Sequence, residues 1–378
     1  RARYAILFSG RTTILMSRNI IVGGGVIGML TALELATAGA KVILFERAET
    51  GRESSWAGGG IISPLFPWRY LDSVSRLASW SQAVYPTLCD ELTKQTGIDP
   101  EYTRSGLLLI APDEAGDAEV WAERHGSRLI RVDRAEFQRL EPQAAQPPDE
   151  ALWMPDVAQV RNPRIVRALR ARIDQLGVEV RTGATVLELL QSHGRCIGVG
   201  SSQGTCLGDT VTICAGAWSG GLLADLPSPP AVKPIRGQML LFRAAPGTIS
   251  RMVLEDARYI IPRHDGRTLF GSTVEDVGFE KQTTTEAREE LYAVATERFP
   301  VLKSLPVEAH WAGLRPSSPA GVPYIGRHPE IGGLFINTGH FRNGIVLGPA
   351  SARLAADLIL GRPPTLDPAP YAWNAPRG

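Results

Sequence analysis

The chain has 378 residues, long for a single core and suited to two lobes. Its 40 Lys and Arg residues balance 39 Asp and Glu residues to a net charge of +1, so no field invites nucleic acid or anionic lipid, and no uninterrupted apolar run reaches the length of a membrane span. The four cysteines, Cys89, Cys196, Cys206 and Cys214, form no CxxC pair and have no histidine at metal-ligand spacing, so no metal site is expected and the thiols read as reduced and buried in a cytoplasmic protein.

Residues 1–17 carry Arg1, Arg3 and Arg11, no acid, and Met16 close to where the fold should begin. This composition favours a disordered extension, or a true start at Met16, over an Arg-rich targeting leader. A short apolar strand, Asn19 to Val22, then runs into the turn Gly23-Gly-Gly-Val-Ile-Gly28 and a helix marked by Ile27, Leu30, Thr31, Leu33, Glu34 and Leu35, stopped by Gly39. Gly23 permits the tight turn, Gly25 lets a pyrophosphate approach the backbone without meeting a Cβ, and Gly28 lets helix and strand pack closely. The helix's first N–H groups face the phosphates. A second strand, Lys41 to Phe45, ends in Glu46, whose carboxylate can accept bonds from both hydroxyls of an adenosine ribose and would repel a 2′-phosphate. The pattern predicts an adenine dinucleotide other than NADP; the fingerprint alone does not separate NAD from FAD.

Glu53-Ser-Ser-Trp-Ala-Gly58-Gly59-Gly60-Ile61 is too glycine-rich for a helix or strand and reads as a loop packed over a cofactor, with Ser54 and Ser55 offering hydroxyls to phosphate. Residues 73–95 follow helical spacing, with a kink or break at Pro86. Residues 106–111 read as a buried strand and residues 102–105 as a turn. A solvated helix and a capped helix start at Asp133 fill residues 113–141, and a Pro-rich stretch, residues 142–155, closes this first insertion. A helix over residues 164–176 and the strand 178–181 repeat a βαβ pattern. Residues 186–190 and 196–199 look like a hairpin pair, and the buried strand before Ala215-Gly216-Ala217-Trp218 places small residues where the chain passes under a cofactor. Residues 233–242, 258–262 and 269–273 alternate as an antiparallel sheet, followed by a helix over about 286–299 stopped by Pro300. His310-Trp-Ala-Gly-Leu-Arg-Pro316 is expected to return the chain to the first lobe. The strand Leu334-Phe-Ile-Asn337, the polar turn Thr338-Gly-His-Phe-Arg-Asn-Gly344 and a helix over about 345–360 complete the pattern, the helix N-terminus being a second candidate anion site.

These motifs resemble those of the FAD-dependent amine and D-amino acid oxidases. The resemblance is carried by Gly23-Gly-Gly-Val-Ile-Gly28, Glu53-Ser-Ser-Trp-Ala-Gly-Gly-Gly60, residues 211–218, His310-Trp-Ala-Gly-Leu-Arg-Pro316, Pro323-Tyr-Ile-Gly-Arg327 and Gly339-His-Phe-Arg-Asn-Gly344, and extends over about residues 19–370. It implies an α/β (α+β overall) fold with a Rossmann-like FAD-binding domain of glutathione-reductase type, assembled from residues 18–80, 150–225 and 311–370, and an interleaved antiparallel-sheet substrate domain from residues 81–149 and 226–310. It implies non-covalent FAD, contacted by Gly23, Gly25, Val26, Ile27, Gly28, Glu46, Arg47, Ser54, Ser55, Ala57, Gly58, Gly59, Ile61, Val186, Ala215, Gly216, Trp218, His340, Phe341, Arg342, Asn343, Gly344 and Ile345. Arg315 matches the family's carboxylate-binding arginine, Tyr259 a tyrosine over the substrate, and Arg342 an arginine near flavin and substrate. Some relatives carry a histidine where this chain has Ala257, which alters the edge of the pocket.

A planar guanidinium fixes a carboxylate in two directions at once, which suits Arg315 to orienting an amino acid. No general base stands out, in keeping with hydride transfer from a neutral amine. His340, in a turn beside glycine, reads as structural, and His125, His193, His264, His310 and His328 have no acid or hydroxyl partner identifiable from sequence. The resemblance implies oxidation of glycine, sarcosine or a small D-amino acid to the imine and then the oxoacid, with O2 as electron acceptor and H2O2 as product, in thiamine (thiazole) biosynthesis. The competing expectation is a dehydrogenase that passes electrons to another carrier. No nucleic-acid or membrane partner is expected, and a homo-oligomer is compatible with the sequence.

Overall fold

The computed structural model describes residues 17–377; apart from Ser17, the expected N-terminal extension lies outside them. In chain order the elements begin β1 (Arg18–Val22), α1 (Val26–Thr37), β2 (Lys41–Phe45), the one-turn α2 (Ser54–Ala57) and α3 (Asp72–Thr96). There follow β3 (Leu107–Ile110), α4 (Ala115–His125), β4 (Ile130–Asp133), α5 (Arg134–Leu140), β5 (Glu150–Met154), α6 (Asn162–Gln175) and β6 (Glu179–Arg181). The meander β7 (Val186–Ser192), β8 (Arg195–Ser201) and β9 (Gly204–Leu207) precedes β10 (Thr210–Ile213) and α7 (Ser219–Leu222). The remainder is β11 (Lys233–Arg243), β12 (Met252–Glu255), β13 (Arg258–Pro262), β14 (Arg267–Gly271), α8 (Thr285–Arg298), β15 (Val307–Ser317), β16 (Tyr324–Arg327), β17 (Leu334–Thr338) and α9 (Gly344–Ile359).

Two large sheets organise the molecule. The first has six strands in the order β16-β17-β10-β1-β2-β6, parallel except at the β16–β17 edge. Its strands are apolar on both faces because both are covered. Ile21 and Leu44 pack with α1, α3, α6 and α9, whereas Ile20, Val22, Ile43 and Phe45 point the other way, onto Cys196, Val199 and Cys206 of the β7-β8-β9 sheet. One-residue alternation along each strand thus builds two cores. The second sheet has eight strands, β15-β11-β14-β13-β12-β3-β5-β4, antiparallel except where β3 meets β12. Leu240, Phe242, Ile260 and Phe270 pack on one of its faces with Leu291 and Phe299, and Met239, Tyr259 and Ile261 lie on the other with Ile61 and Phe66.

The structure departs from the sequence reading in specific places. Residues 54–57 form a helical turn where glycine content argued against one. Helix α3 runs through Pro86 without a break; it is held by packing on α9, where the Tyr85 hydroxyl donates to Ile345 O at 2.6 Å and Ser81 Oγ accepts the Ala350 N–H at 3.0 Å. β5 lies inside the Pro-rich stretch, and β4, β9, β12 and β16 are additional short strands. The segment His310–Pro316 has not left the second sheet: it is part of β15, paired along its length with β11. All four cysteines are free and buried, and burial pushes the thiols of Cys89 and Cys214 up to about 12.

The glycine turn is fixed by backbone contact. A Cβ on Gly28 would lie 1.9 Å from Gly23 O, whereas one on Gly25 would meet only Ser55 Oγ, at 3.1 Å. Gly28→Ala is therefore expected to lose about 3 kcal/mol of stability and Gly25→Ala about 1 kcal/mol or less, read from urea unfolding midpoints of the two variants.

Candidate active site

A cavity of about 560 Å³ lies between the two large sheets, within the range of small-molecule and cofactor sites. One end is built from the ends of the parallel strands. The β1–β10 pairing brings Cys214 and Ala215 beside the glycine turn, so closely that a Cβ on Gly23, at φ +113°, would sit 2.3 Å from Cys214 O. Glu46, at the end of β2, is buried and aimed by two backbone donors: Gly24 N–H to Oε2 at 2.8 Å and Ala48 N–H to Oε1 at 3.0 Å. Each oxygen keeps a lone pair for a further donor.

Ser55, expected to offer its hydroxyl to phosphate, lines the cavity and also braces the glycine turn. Its Oγ accepts the Val26 N–H at 2.9 Å, capping the first turn of α1. Asn337 also lines the cavity; its Nδ2 donates to Thr31 Oγ1 at 3.2 Å and its buried Oδ1 has no partner, an acceptor that a ligand donor would satisfy.

The other end is built on the second sheet. Arg315, on β15, donates from Nη1 to Arg236 O at 3.1 Å and Thr273 O at 3.0 Å, and from Nη2 to Ser272 Oγ at 2.7 Å. All three acceptors are neutral. With three of a guanidinium's five N–H groups engaged, Nε–H and one Nη2–H remain. Burial pushes Arg315 down to about 10, and the neighbouring Tyr259 hydroxyl and Glu275 oppose that shift. Tyr259 is buried with its hydroxyl 3.9 Å from Met239 Sδ. Arg342 Nη2 donates to Ala257 O at 3.5 Å, and the preceding Phe341 N–H donates to Pro316 O at 2.8 Å, tying the turn before α9 to the Arg315 strand.

Most sequence-predicted residues converge. Gly23, Gly25, Val26, Ile27, Glu46, Arg47, Ser54, Ser55, Ala57, Gly58, Gly59, Ile61, Val186, Ala215, Gly216, Trp218, Tyr259, Arg315, His340, Phe341, Arg342, Gly344 and Ile345 all line the cavity. Gly28 and Asn343 do not: Gly28 packs behind the turn, and Asn343 stands at the N-cap position of α9 without a side-chain cap bond, its N–H donating to His340 O at 2.9 Å. His340 is fully buried, bonded to Ser351 Oγ at 3.0 Å and pushed down to about 3 by burial, hence neutral. Other histidines have partners that sequence could not supply: His264 bonds Thr103 Oγ1 at 2.5 Å, His125 meets Asp72 at 3.2 Å and His193 bonds Ser192 Oγ at 2.9 Å.

Arg263 was missed. It lies on the Tyr259 and Ile261 side of the β13 alternation and is buried; it donates to Gly59 O at 2.8 Å, Val160 O at 2.9 Å and Gln159 Oε1 at 2.6 Å. It fastens the glycine loop to the second sheet. The signal available in sequence was the two-residue period Tyr259, Ile261, Arg263, which puts a cation on the apolar face.

Comparison with known proteins gives a consistent result. The family model described as FAD dependent oxidoreductase (DAO) matches residues 18–358. The chain is 50% identical over 356 residues to a glycine oxidase of Pseudomonas aeruginosa, covering 94% of this chain and 98% of that one. It is 32% identical to the bifunctional protein ThiO/ThiG of Trichormus variabilis, covering 91% of this chain and 53% of that protein. The crystal structure of glycine oxidase from Geobacillus kaustophilus superposes with a TM-score of 0.87 at 29% identity, covering 96% of this chain and all of that one (100%).

Two outcomes follow from the buried cation and the buried imidazole. Arg263→Ala strips three acceptors of their donor and is expected to cost about 3 kcal/mol in urea unfolding, with Arg263→Lys recovering part. His340, ordinarily near 6.5 and about 3 when folded, takes up its proton more readily in the unfolded chain. Its contribution to stability is thus present above pH 6.5 and lost as pH falls towards 3. The acid limb of a melting temperature against pH profile should flatten in His340→Asn.

Proposed function

This chain belongs to the FAD dependent oxidoreductase (DAO) family and is an FAD-dependent amino acid oxidase; we propose that its substrate is glycine or a similarly small amine bearing a carboxylate, held by Arg315. The residues present fit FAD. The turn at Gly23 and Gly25 lacks Cβ atoms, Glu46 offers an aimed carboxylate at its base, and Asn337 leaves an unpaired acceptor in the same cavity. On this reading the six-stranded and three-stranded sheets form the FAD lobe, with Glu46 holding the adenosine ribose, and the eight-stranded sheet forms the substrate lobe.

FAD, when bound, supplies the two-electron acceptor, which no side chain of the protein can replace. The protein's part is orientation and exclusion of water. One observation carries the substrate reading: Arg315 is a half-buried cation facing the cavity whose hydrogen bonds all go to neutral oxygens, with two N–H groups left over. A substrate carboxylate completes that set and neutralises the charge. The buried arginines Arg236 and Arg263 contrast with it: Arg236 already pairs with Glu275, and Arg263 lies behind the glycine loop, outside the cavity lining.

Tyr259 and Met239 close the cavity beside the substrate position, and Trp311 Nε1 donates to Ala57 O at 3.0 Å while its ring meets Trp56 edge-on, sealing the lobes against each other. A neutral amine substrate needs no base to deprotonate it, and His340, whose protonation burial disfavours, is too weak a base to serve as one. The imine product hydrolyses to the oxoacid and ammonia. O2 is the proposed oxidant and H2O2 the proposed product. The resemblance to an enzyme that shares a chain with ThiG supports supply of the imine to thiazole synthesis.

Removing one member of a buried charged pair costs roughly 2–5 kcal/mol, so Arg315→Ala should lower kcat/KM for glycine about thirty-fold to several thousand-fold. Arg315→Lys should restore part of this, because an ammonium keeps the charge and loses the planar fork. The check is to compare glycine with a small amine lacking the carboxylate in wild type and Arg315→Ala. Equal loss on both would make Arg315 a structural residue. Reading peroxide with O2 alongside dye reduction separates an oxidase from a dehydrogenase.

A further inference from the structure

We propose that the loop joining β14 to α8 is a latch across the cavity rim near Arg47, and that its tip, residues 276–281, must swing aside for FAD to enter or leave. The base of the loop is pinned. Arg236, buried, donates from Nε to Glu275 Oε2 and from Nη1 to Gln282 O, both at 3.0 Å, and Arg236 and Glu275 exchange backbone hydrogen bonds of 2.9 and 3.0 Å. One side chain therefore grips both ends, and the residues between them are exposed.

The tip reaches over to the other lobe. Phe279, 51% exposed, packs on Trp218 with ring centroids 5.6 Å apart. The Arg47 guanidinium lies 3.5 Å from the centroid of the same Trp218 ring and donates to Glu53 at 2.8 Å. Glu53 in turn accepts from Lys281 Nζ at 2.7 Å, which closes a circuit back to the loop. Phe279, Trp218, Arg47 and Glu53 all line the cavity, so the circuit spans its rim.

The two kinds of contact differ in strength as a latch requires. Lys281 and Glu53 are 41% and 29% exposed, and such a pair contributes little; an aromatic pair on the surface adds a modest amount. The tip can therefore open thermally while the buried Arg236–Glu275 base stays closed. This inference rests on FAD occupying the cavity and is independent of which amine is oxidised, because the test reads cofactor exchange rather than turnover.

The test measures FAD release on dilution of holoenzyme and FAD rebinding to apoprotein, both by flavin fluorescence, in wild type, Phe279→Ala, Lys281→Ala and Lys281→Glu. A latch governs both directions, so both rates should rise about three- to tenfold while Kd changes less than either rate. Lys281→Glu, which sets like charges against each other, should exceed Lys281→Ala. Salt should speed exchange in wild type and not in Lys281→Ala. Release rising alone, with rebinding unchanged, would identify these side chains as direct FAD contacts and overturn the latch; rates unchanged in all variants, or any other pattern, would overturn it equally.

Discussion

The position of the cavity depends on one backbone contact. Where β1 and β10 end side by side, the carbonyl of Cys214 occupies the place a side chain at Gly23 would take, and Gly23 O occupies the place a side chain at Gly28 would take. Strand, turn, helix and returning strand are thereby locked at van der Waals distance. This nesting lets the N-terminus of α1, the Glu46 carboxylate and the Ala215–Trp218 turn face one space. A larger residue at either glycine would push α1 off the sheet and separate the groups that must act together.

Charge is distributed by a related logic. Guanidinium groups are buried at Arg236 and Arg263 and half-buried at Arg315, and their acceptors differ. Arg236 is matched by Glu275, so it can serve as a fixed anchor. Arg263 has only carbonyl and amide oxygens and is pushed down to about 10 by burial, the lowered value reflecting a cation held by dipoles alone. Arg315 is pushed down to about 10 for the same reason but faces the cavity. A partly desolvated cation with no carboxylate bonded to it costs free energy in the absence of ligand, and a carboxylate that arrives there regains it. Binding energy and selectivity for a carboxylate thus come from the same desolvated site.

What was legible in sequence was local. The glycine turn, the acid ending β2, the Asp133 cap and the glycine-bounded turn before α9 each declare themselves within a few residues, because turn chemistry and helix capping are short-range effects. The convergence of Tyr259, Arg315 and Arg342 came from the family resemblance rather than from any spacing. What was not legible depended on partners distant in the chain. β4, β5, β12 and β16 are strands of four or five residues that exist because a neighbouring strand completes them. Pro86 fails to break α3 because α9 holds the helix in the turn before it, at Ser81 and Tyr85. The bond from the Val26 N–H to Ser55 Oγ joins residues 29 positions apart, so sequence could not show it.

Several links between the two large sheets end on neutral acceptors: Arg263 to Gly59 O, Trp311 to Ala57 O and Phe341 N–H to Pro316 O each end on a backbone carbonyl. Carbonyl acceptors belong to the main chain, so these bonds fix the path of the backbone as well as the side chains. Being buried, they are also little affected by ionic strength. Ionic links between the sheets, the Lys281–Glu53 pair at the rim and the Arg161–Asp265 pair before α6, are partly exposed. Contacts that end on backbone carbonyls therefore sit where substrate and cofactor must meet in fixed geometry, and the partly exposed ion pairs sit nearer the surface. An arrangement with ion pairs inside and neutral contacts at the rim would make the reactive geometry salt-dependent and leave cofactor exchange without a yielding point.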